Sequence, residues 1–307
     1  MAGDPTLLSL RGPFDFARSI RFWRRSTGEL CEQWADGVYR RVVEQDGSPA
    51  VLALHSAGTV EAPAVRLELD GRPATAAETV RLAGLVRHML GDDLDLRACY
   101  AALAGDEALA PVFARLYGLR APRSPLWETL CFVIAGQQIS VPFAYQLKQR
   151  LVMRYGTAFE AGGRPLYRFP APTVLAEADP DELRGMQFSG SKARFISGLA
   201  QQIVAGKLDL ERIAALPTPE ATAELIRFHG IGRWTAEFLL MRALGRADAL
   251  PANDAGVRQG VAALYGQRLP EAELRAFGAR WGQWGGVVGL YLLAWLREEA
   301  EAKIRNA

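Results

Sequence analysis

Asp254 stands directly before Ala255-Gly256-Val257-Arg258-Gln259-Gly260, which reads as the opening of a helix. A carboxylate there either caps the helix by accepting its first amides or offers negative charge to a developing cation. Asn253 is beside it and can take the cap, leaving the Asp254 carboxylate free. Upstream, His229-Gly230-Ile231-Gly232 separates two helical patterns, one opening with Thr218 as N-cap and Pro219 at its first position, the other at Arg233. Glycines in such a turn let another backbone approach closely, and the exposed amides of the second helix suit a phosphate. An ordinary helix–turn–helix corner would look the same. Trp234, Phe238 and Met241 share one helix face, a stripe that serves either core packing or an apolar pocket wall. Gln137 follows Leu130, Val133 and Ile134 on an apolar face. A buried amide must find partners, so Gln137 either satisfies nearby backbone or faces a polar cavity. Ser140 is placed to cap the next helix, with Pro142 in its first turn.

Composition narrows the classes. The chain has 307 residues, half of them hydrophobic and 23% charged, an ordinary globular balance with room for two or three packed units. Its longest apolar run, Trp284 to Leu296, is short of the roughly 20 residues that span a bilayer, and the first residues do not read as a signal peptide. Cys31, Cys99 and Cys131 are widely spaced without a CxxC. That pattern argues against a disulfide framework, a cysteine zinc site or an iron–sulfur cluster, and a cytoplasmic protein is expected. Net charge is only +2, with the surplus of basic residues beyond residue 93. A polyanion would meet the C-terminal two-thirds.

The elements that must position these residues divide into two parts, giving an α+β chain. Asp15 is placed to cap a short helix through Arg24 carrying Phe16, Ile20 and Trp23. Val38–Val43 and Val51–His55 read as strands joined by a turn at Asp46-Gly47-Ser48-Pro49, and Val65–Leu69 alternates strictly. An antiparallel sheet domain over residues 1–90 is expected, followed by an all-helical core over 91–307 with the two-helix hairpin at about 219–244.

FHGIGRWTAEF followed by PANDAGVRQ resembles the helix-hairpin-helix DNA glycosylase superfamily, most of all its bacterial 3-methyladenine DNA glycosylase II type. Gly91-Asp92-Asp93-Leu94-Asp95, Gly118-Leu119-Arg120, Ile134 to Ser140 and Gly190-Ser191-Lys192-Ala193 also fall where that family has similar segments. One departure is His229, where the family usually has proline, which should loosen the hairpin entry. The resemblance implies that Asp254 assists cleavage of the N-glycosidic bond of an alkylated base flipped out of duplex DNA. It implies Gln137, Trp234, Phe238 and Trp284 as base-pocket residues, with Phe22 closing that pocket from the first domain. Gln138 would fill the gap left by the extruded base. Gly230, Gly232 and Thr235 would hold the DNA backbone, with Arg233 and Arg258 adding charge. Bifunctional relatives carry a lysine where Trp234 stands, so a monofunctional hydrolase that leaves an abasic site is implied. The expected partner is damaged double-stranded DNA, bound by a monomer. No metal or organic cofactor is implied, apart from a monovalent cation that related hairpins hold through backbone carbonyls. A non-catalytic hairpin module for damaged DNA, and a glycosylase for an oxidised or deaminated base, remain the alternatives.

Overall fold

The alternation from Val65 to Leu69 becomes a strand with Val65, Leu67 and Leu69 buried and Arg66 outside. In the computed structural model, which describes residues 6–23 and 29–305, this is β5 (Ala64–Leu69). It sits among β1 (Leu7–Ser9), β2 (Glu32–Ala35), β3 (Val38–Gln45), β4 (Ser48–Ser56) and β6 (Arg72–Pro73). The sheet is antiparallel, in the order β1-β5-β4-β3-β2, with β6 beside β5. The expected turn narrows to Asp46-Gly47, both at positive φ, and Ser48 and Pro49 already belong to β4. Such a two-residue loop matches the natural twist of paired strands.

Helix α1 (Phe16–Trp23) opens where Asp15 Oδ1 accepts the Arg18 amide at 3.0 Å; Arg24, its expected end, lies outside the described residues. Helix α2 (Ala76–Met89) begins with a reciprocal Thr75–Glu78 capping box. Phe16 and Ile20 of α1 and Leu82, Val86 and Met89 of α2 pack with Leu52, Leu54, Val65 and Leu67 of the sheet. That cluster ends at Leu90; the next joins Phe22 and Trp23 of α1 to helical residues from Leu96 onward.

The helical part comprises α3 (Leu96–Ala102), α4 (Ala110–Arg115), α5 (Leu126–Gly136) and α6 (Val141–Tyr155). Then come α7 (Pro172–Ala176), α8 (Pro180–Gly185), α9 (Gly190–Val204) and α10 (Leu210–Ala215). The chain closes with α11 (Thr218–Leu225), α12 (Arg233–Ala243), α13 (Ala255–Tyr265), α14 (Glu271–Gly278), a 3-10 turn at Ala279–Trp284, and α15 (Gly285–Arg305). The expectation of an all-helical core needs correction. Strands β7 (Thr157–Ala161) and β8 (Arg164–Arg168) form a hairpin turned by Gly162 and Gly163 at positive φ. Ala161 and Leu166 cover Val42 and Val51, on the opposite side of the sheet from α1 and α2. Gln33 Nε2 donates to the Pro165 carbonyl at 3.1 Å, and Tyr167 N to Leu30 O at 2.8 Å. The helical part thus reaches back to clasp the sheet. Both strands are only five residues long, too short for a clear periodicity reading.

Two helical clusters share the rest of the core, one centred on α5, α9, α11 and α12, the other on α3, α4, α13 and α15. A cavity of about 1570 Å³ runs from the α11–α12 turn toward α1 and β2.

Candidate active site

Helix α12 begins at Arg233 as expected, with Gly232 at its N-cap. The preceding helix starts one place earlier than expected. Pro217 is its N-cap and Thr218 lies inside it, the Thr218 hydroxyl donating to Asp248 Oδ1 at 2.7 Å. The two hairpin glycines have different jobs. Gly230 has φ +95°, and a Cβ there would lie 2.6 Å from the Phe195 ring, so the fold itself demands glycine. Gly232 faces open space and leaves the first amides of α12 approachable. The His229 ring, where the family usually has proline, packs edge-on against Phe195 at 4.8 Å.

Gln137 braces this turn. Its Nε2 donates to the Gly230 carbonyl and to Thr235 Oγ1, each at 3.1 Å, while the residue also lines the cavity. The amide nitrogen thus serves the fold, while the residue borders the cavity as a pocket residue would. Thr235 is 2% exposed, and its hydroxyl accepts from Gln137. Gln138 is exposed at the cavity rim with φ +58°, a conformation that carries its side chain out of the helix line. Ser140 takes the N-cap position of α6 without a side-chain cap bond, and Pro142 falls in the first turn. Sequence reasoning missed Lys192. Its ammonium donates to the Ala135 carbonyl at 2.7 Å, satisfying the end of α5 from which Gln137 and Gln138 project.

Asp254, not Asn253, caps α13. Asp254 Oδ1 accepts the amides of Gly256 and Val257 at 2.9 and 3.0 Å, and Oδ2 accepts the Trp234 indole N–H at 2.9 Å. The cap and the free carboxylate are not alternatives, because a carboxylate has about four acceptor sites and these bonds use three. Asp254 is 9% exposed, faces the cavity and forms no ion pair among the described residues. Trp234 and Phe238, half-buried, stand on the same wall with their rings 5.4 Å apart and 34° from parallel. Met241, the third member of the stripe, is in the core.

Two expected pocket aromatics lie elsewhere. Trp284 packs with Val287 and Leu292 in the second helical cluster, and Phe22 lies in the same cluster beneath the Arg297 guanidinium. Neither lines the cavity. The ring that α1 supplies is Trp23, one residue on, with the Arg242 guanidinium 4.5 Å over it. Arg233 is exposed at the rim, 3.7 Å from Glu237. Arg258 is exposed on α13 and donates to the Leu269 carbonyl at 3.1 Å, away from the cavity.

The far end of the cavity lies against the sheet domain and holds a buried charge cluster. Lys148 Nζ bridges Glu29 Oε2 at 2.8 Å and Glu128 Oε1 at 2.7 Å, and Arg41 pairs with the other Glu128 oxygen. Burial alone would raise the Glu128 carboxyl, yet Arg41 and Lys148 outweigh it and hold it below its ordinary value. Burial would likewise lower the Lys148 ammonium, but Glu128 and Glu29 push it well above the usual range. Glu29, Cys31 and Glu128 bring metal-ligand atoms within 4.8 Å of one another; the ammonium between the carboxylates is the cation of this cluster.

Comparison with known proteins identifies the family. The model of the HhH-GPD superfamily base excision DNA repair protein matches residues 131–281, and that of the AlkA N-terminal domain matches residues 6–125. The chain belongs to the HhH-GPD superfamily, with its N-terminal sheet of the AlkA kind. Among its relatives is the DNA-3-methyladenine glycosylase of Bacillus subtilis (strain 168), 26% identical over 94% of this chain and 96% of the relative. DNA-3-methyladenine glycosylase 2 of Escherichia coli (strain K12) is 30% identical over 63% of this chain and 67% of its own. The solved 3-methyladenine DNA glycosylase from Archaeoglobus fulgidus superposes with a TM-score of 0.83 at 27% identity, covering 95% of this chain and 98% of that one. An 8-oxoguanine glycosylase/lyase from Clostridium acetobutylicum, 19% identical with a TM-score of 0.75, shares the fold. No helix among the described residues is long and apolar enough to cross a membrane.

Proposed function

We propose that this chain is a monofunctional DNA N-glycosylase that removes alkylated bases of the 3-methyladenine kind from duplex DNA and leaves an abasic site. The observation that carries this reading is the Asp254 carboxylate, anchored by two amides and an indole on a cavity wall shared with Trp234 and Phe238. The open amides at Gly232 receive a backbone phosphate beside the lesion, with Arg233 adding charge and Gln138 entering the stack as the base leaves it. Alkylation of a ring nitrogen makes the purine cationic, and the Trp234 and Phe238 faces attract it. The C1′–N bond then breaks, its electron pair departs with the base, and the sugar becomes oxocarbenium-like. Asp254 stabilises that charge until water adds to C1′ and gives up its proton. A carboxylate already accepting three hydrogen bonds is a weak base but a well-oriented countercharge.

The reading excludes an amine nucleophile for a physical reason. Lys148 is the one lysine lining the cavity among the described residues. Its ammonium is bound by Glu29 and Glu128 and held protonated, and a protonated amine does not attack. No metal or organic cofactor enters the reaction. Hairpin carbonyls such as Phe228 and Gly230, which already accept from Ile231 N and Gln137 Nε2, would be the ones to hold a monovalent cation. The enzyme acts as a single chain in the cytoplasm. Methylated duplex incubated with the protein should yield free base and an alkali-labile abasic strand, and borohydride should trap no covalent adduct. Tight binding without released base would make it a recognition module; a trapped adduct would make it a lyase.

A further inference from the structure

The cavity is larger than the about 300–1,000 Å³ of common small-molecule pockets, with Trp234 and Phe238 near Asp254 and further rings, Trp23, Phe132 and Tyr145, toward the ion cluster. Phe238 and Arg242 follow Trp234 at four-residue steps along one face of α12, so each step advances about 6 Å into the cavity. A purine stacked on Trp234 and Phe238 beside Asp254 therefore presents its opposite edge to the residues beyond Phe238. Those are Glu32, Tyr145, Arg242 and the buried ion cluster. Within that cluster two cations, Arg41 and Lys148, balance two carboxylates, Glu29 and Glu128, so it closes on itself with no charge to spare. Arg242 lies over Trp23. Glu32 differs from its neighbours: half-buried, it borders the cavity, accepts the Tyr39 hydroxyl at Oε2 over 2.7 Å, and makes no ion pair among the described residues. Arg41 and Lys148 feel its charge while their hydrogen bonds go to other groups. The Tyr39 bond uses one of about four acceptor sites and leaves the others for a ligand in the cavity that Glu32 borders.

We infer that Glu32 is a specificity-determining residue that accepts hydrogen bonds from the amino or imino edge of the extruded purine, with its negative charge favouring a cationic ring. Its chemistry selects bases that carry N–H donors on that edge, such as 7-methylguanine or 3-methyladenine. The inference rests on the glycosylase reading and adds a reader at the second end of the same cavity. Tyr39, fully buried beneath it, is the positioning residue that fixes the carboxylate. Charge-assisted hydrogen bonds are about twice as strong as neutral ones, and a site built for a substrate N–H discriminates steeply against its loss.

The test compares wild type, Glu32→Gln and Tyr39→Phe in single-turnover release of 7-methylguanine, alongside affinity for a duplex bearing an abasic site and thermal stability. Glutamine keeps an acceptor for Tyr39 but loses the charge. Glu32→Gln should slow release about tenfold or more, Tyr39→Phe should slow it less, and abasic-duplex affinity should stay within twofold for both. Unchanged release in Glu32→Gln overturns the assignment. So does a loss matched by equal losses of abasic-duplex affinity or stability, which would make Glu32 structural. Wild type releasing no methylated base would instead overturn the glycosylase reading and take this assignment with it.

Discussion

The two ends of the cavity handle negative charge in opposite ways. Among the described residues the partners of Asp254 are neutral donors, whereas at the far end Glu128 is gripped by two cations and Glu29 by one. Neutral donors orient a carboxylate without cancelling its charge. An ion pair cancels it, and its far-field attraction for a third group largely vanishes. At 4 Å and an effective dielectric of 20, an uncancelled charge is worth roughly 4 kcal/mol to a developing cation, about three powers of ten in rate. On the proposed function the hairpin end acts on the substrate, whereas the ion cluster ties Arg41 of β3 and Glu29 to Glu128 of α5 and Lys148 of α6.

Four substitutions separate these roles. Glu128→Gln leaves Lys148 and Arg41 to share Glu29, and removing one partner of a buried charge cluster costs about 3–5 kcal/mol. Denaturant unfolding should show that loss, while base release per folded molecule stays near wild type; a catalytic collapse without loss of stability would reverse the assignment of the two ends. Asp254→Asn should cost somewhat less in free energy but all of it in rate, at least about 10²–10³-fold in base release. Asparagine caps as well as aspartate, so stability and DNA affinity should hold, and retained turnover would remove Asp254 from the reaction. The third comparison lies within the hairpin. Gly230→Ala forces a side chain to positive φ and into Phe195, destabilising the fold by about 1–2 kcal/mol or more. Gly232→Val meets no neighbour and should weaken binding of damaged and undamaged duplex equally, with stability changed by less than about 1 kcal/mol. Equal melting temperatures for the two variants would contradict the division of labour between these glycines.

Much of the hairpin end was legible because its cues are local. The start of α12 at Arg233, the helix opening at Ala255 and the shared face of Trp234 and Phe238 all follow from bonds and spacings within a few residues. The strands Val38–Gln45 and Ala64–Leu69 were visible for the same reason. Where local cues ran out, the reading slipped by one residue or one role. Phe22 and Trp23 are adjacent, and only the seating of α1 against α12 puts Trp23 in the cavity. Gln137 could have faced a cavity or the backbone, and only the position of Gly230, 93 residues away, lets it brace the turn while bordering the cavity.

The amino-acid sequence by itself determined the turn chemistry, the helix starts and the presence of a carboxylate after the hairpin, since these depend on short-range hydrogen bonding and periodicity. Tertiary packing alone decided that Trp234 would reach Asp254 across 20 residues, that Trp284 would be core, and that Arg41, Glu128, Lys148 and Glu29 would meet. Which side chains border a void depends on how separately folded elements come to rest against one another, and no local pattern encodes that.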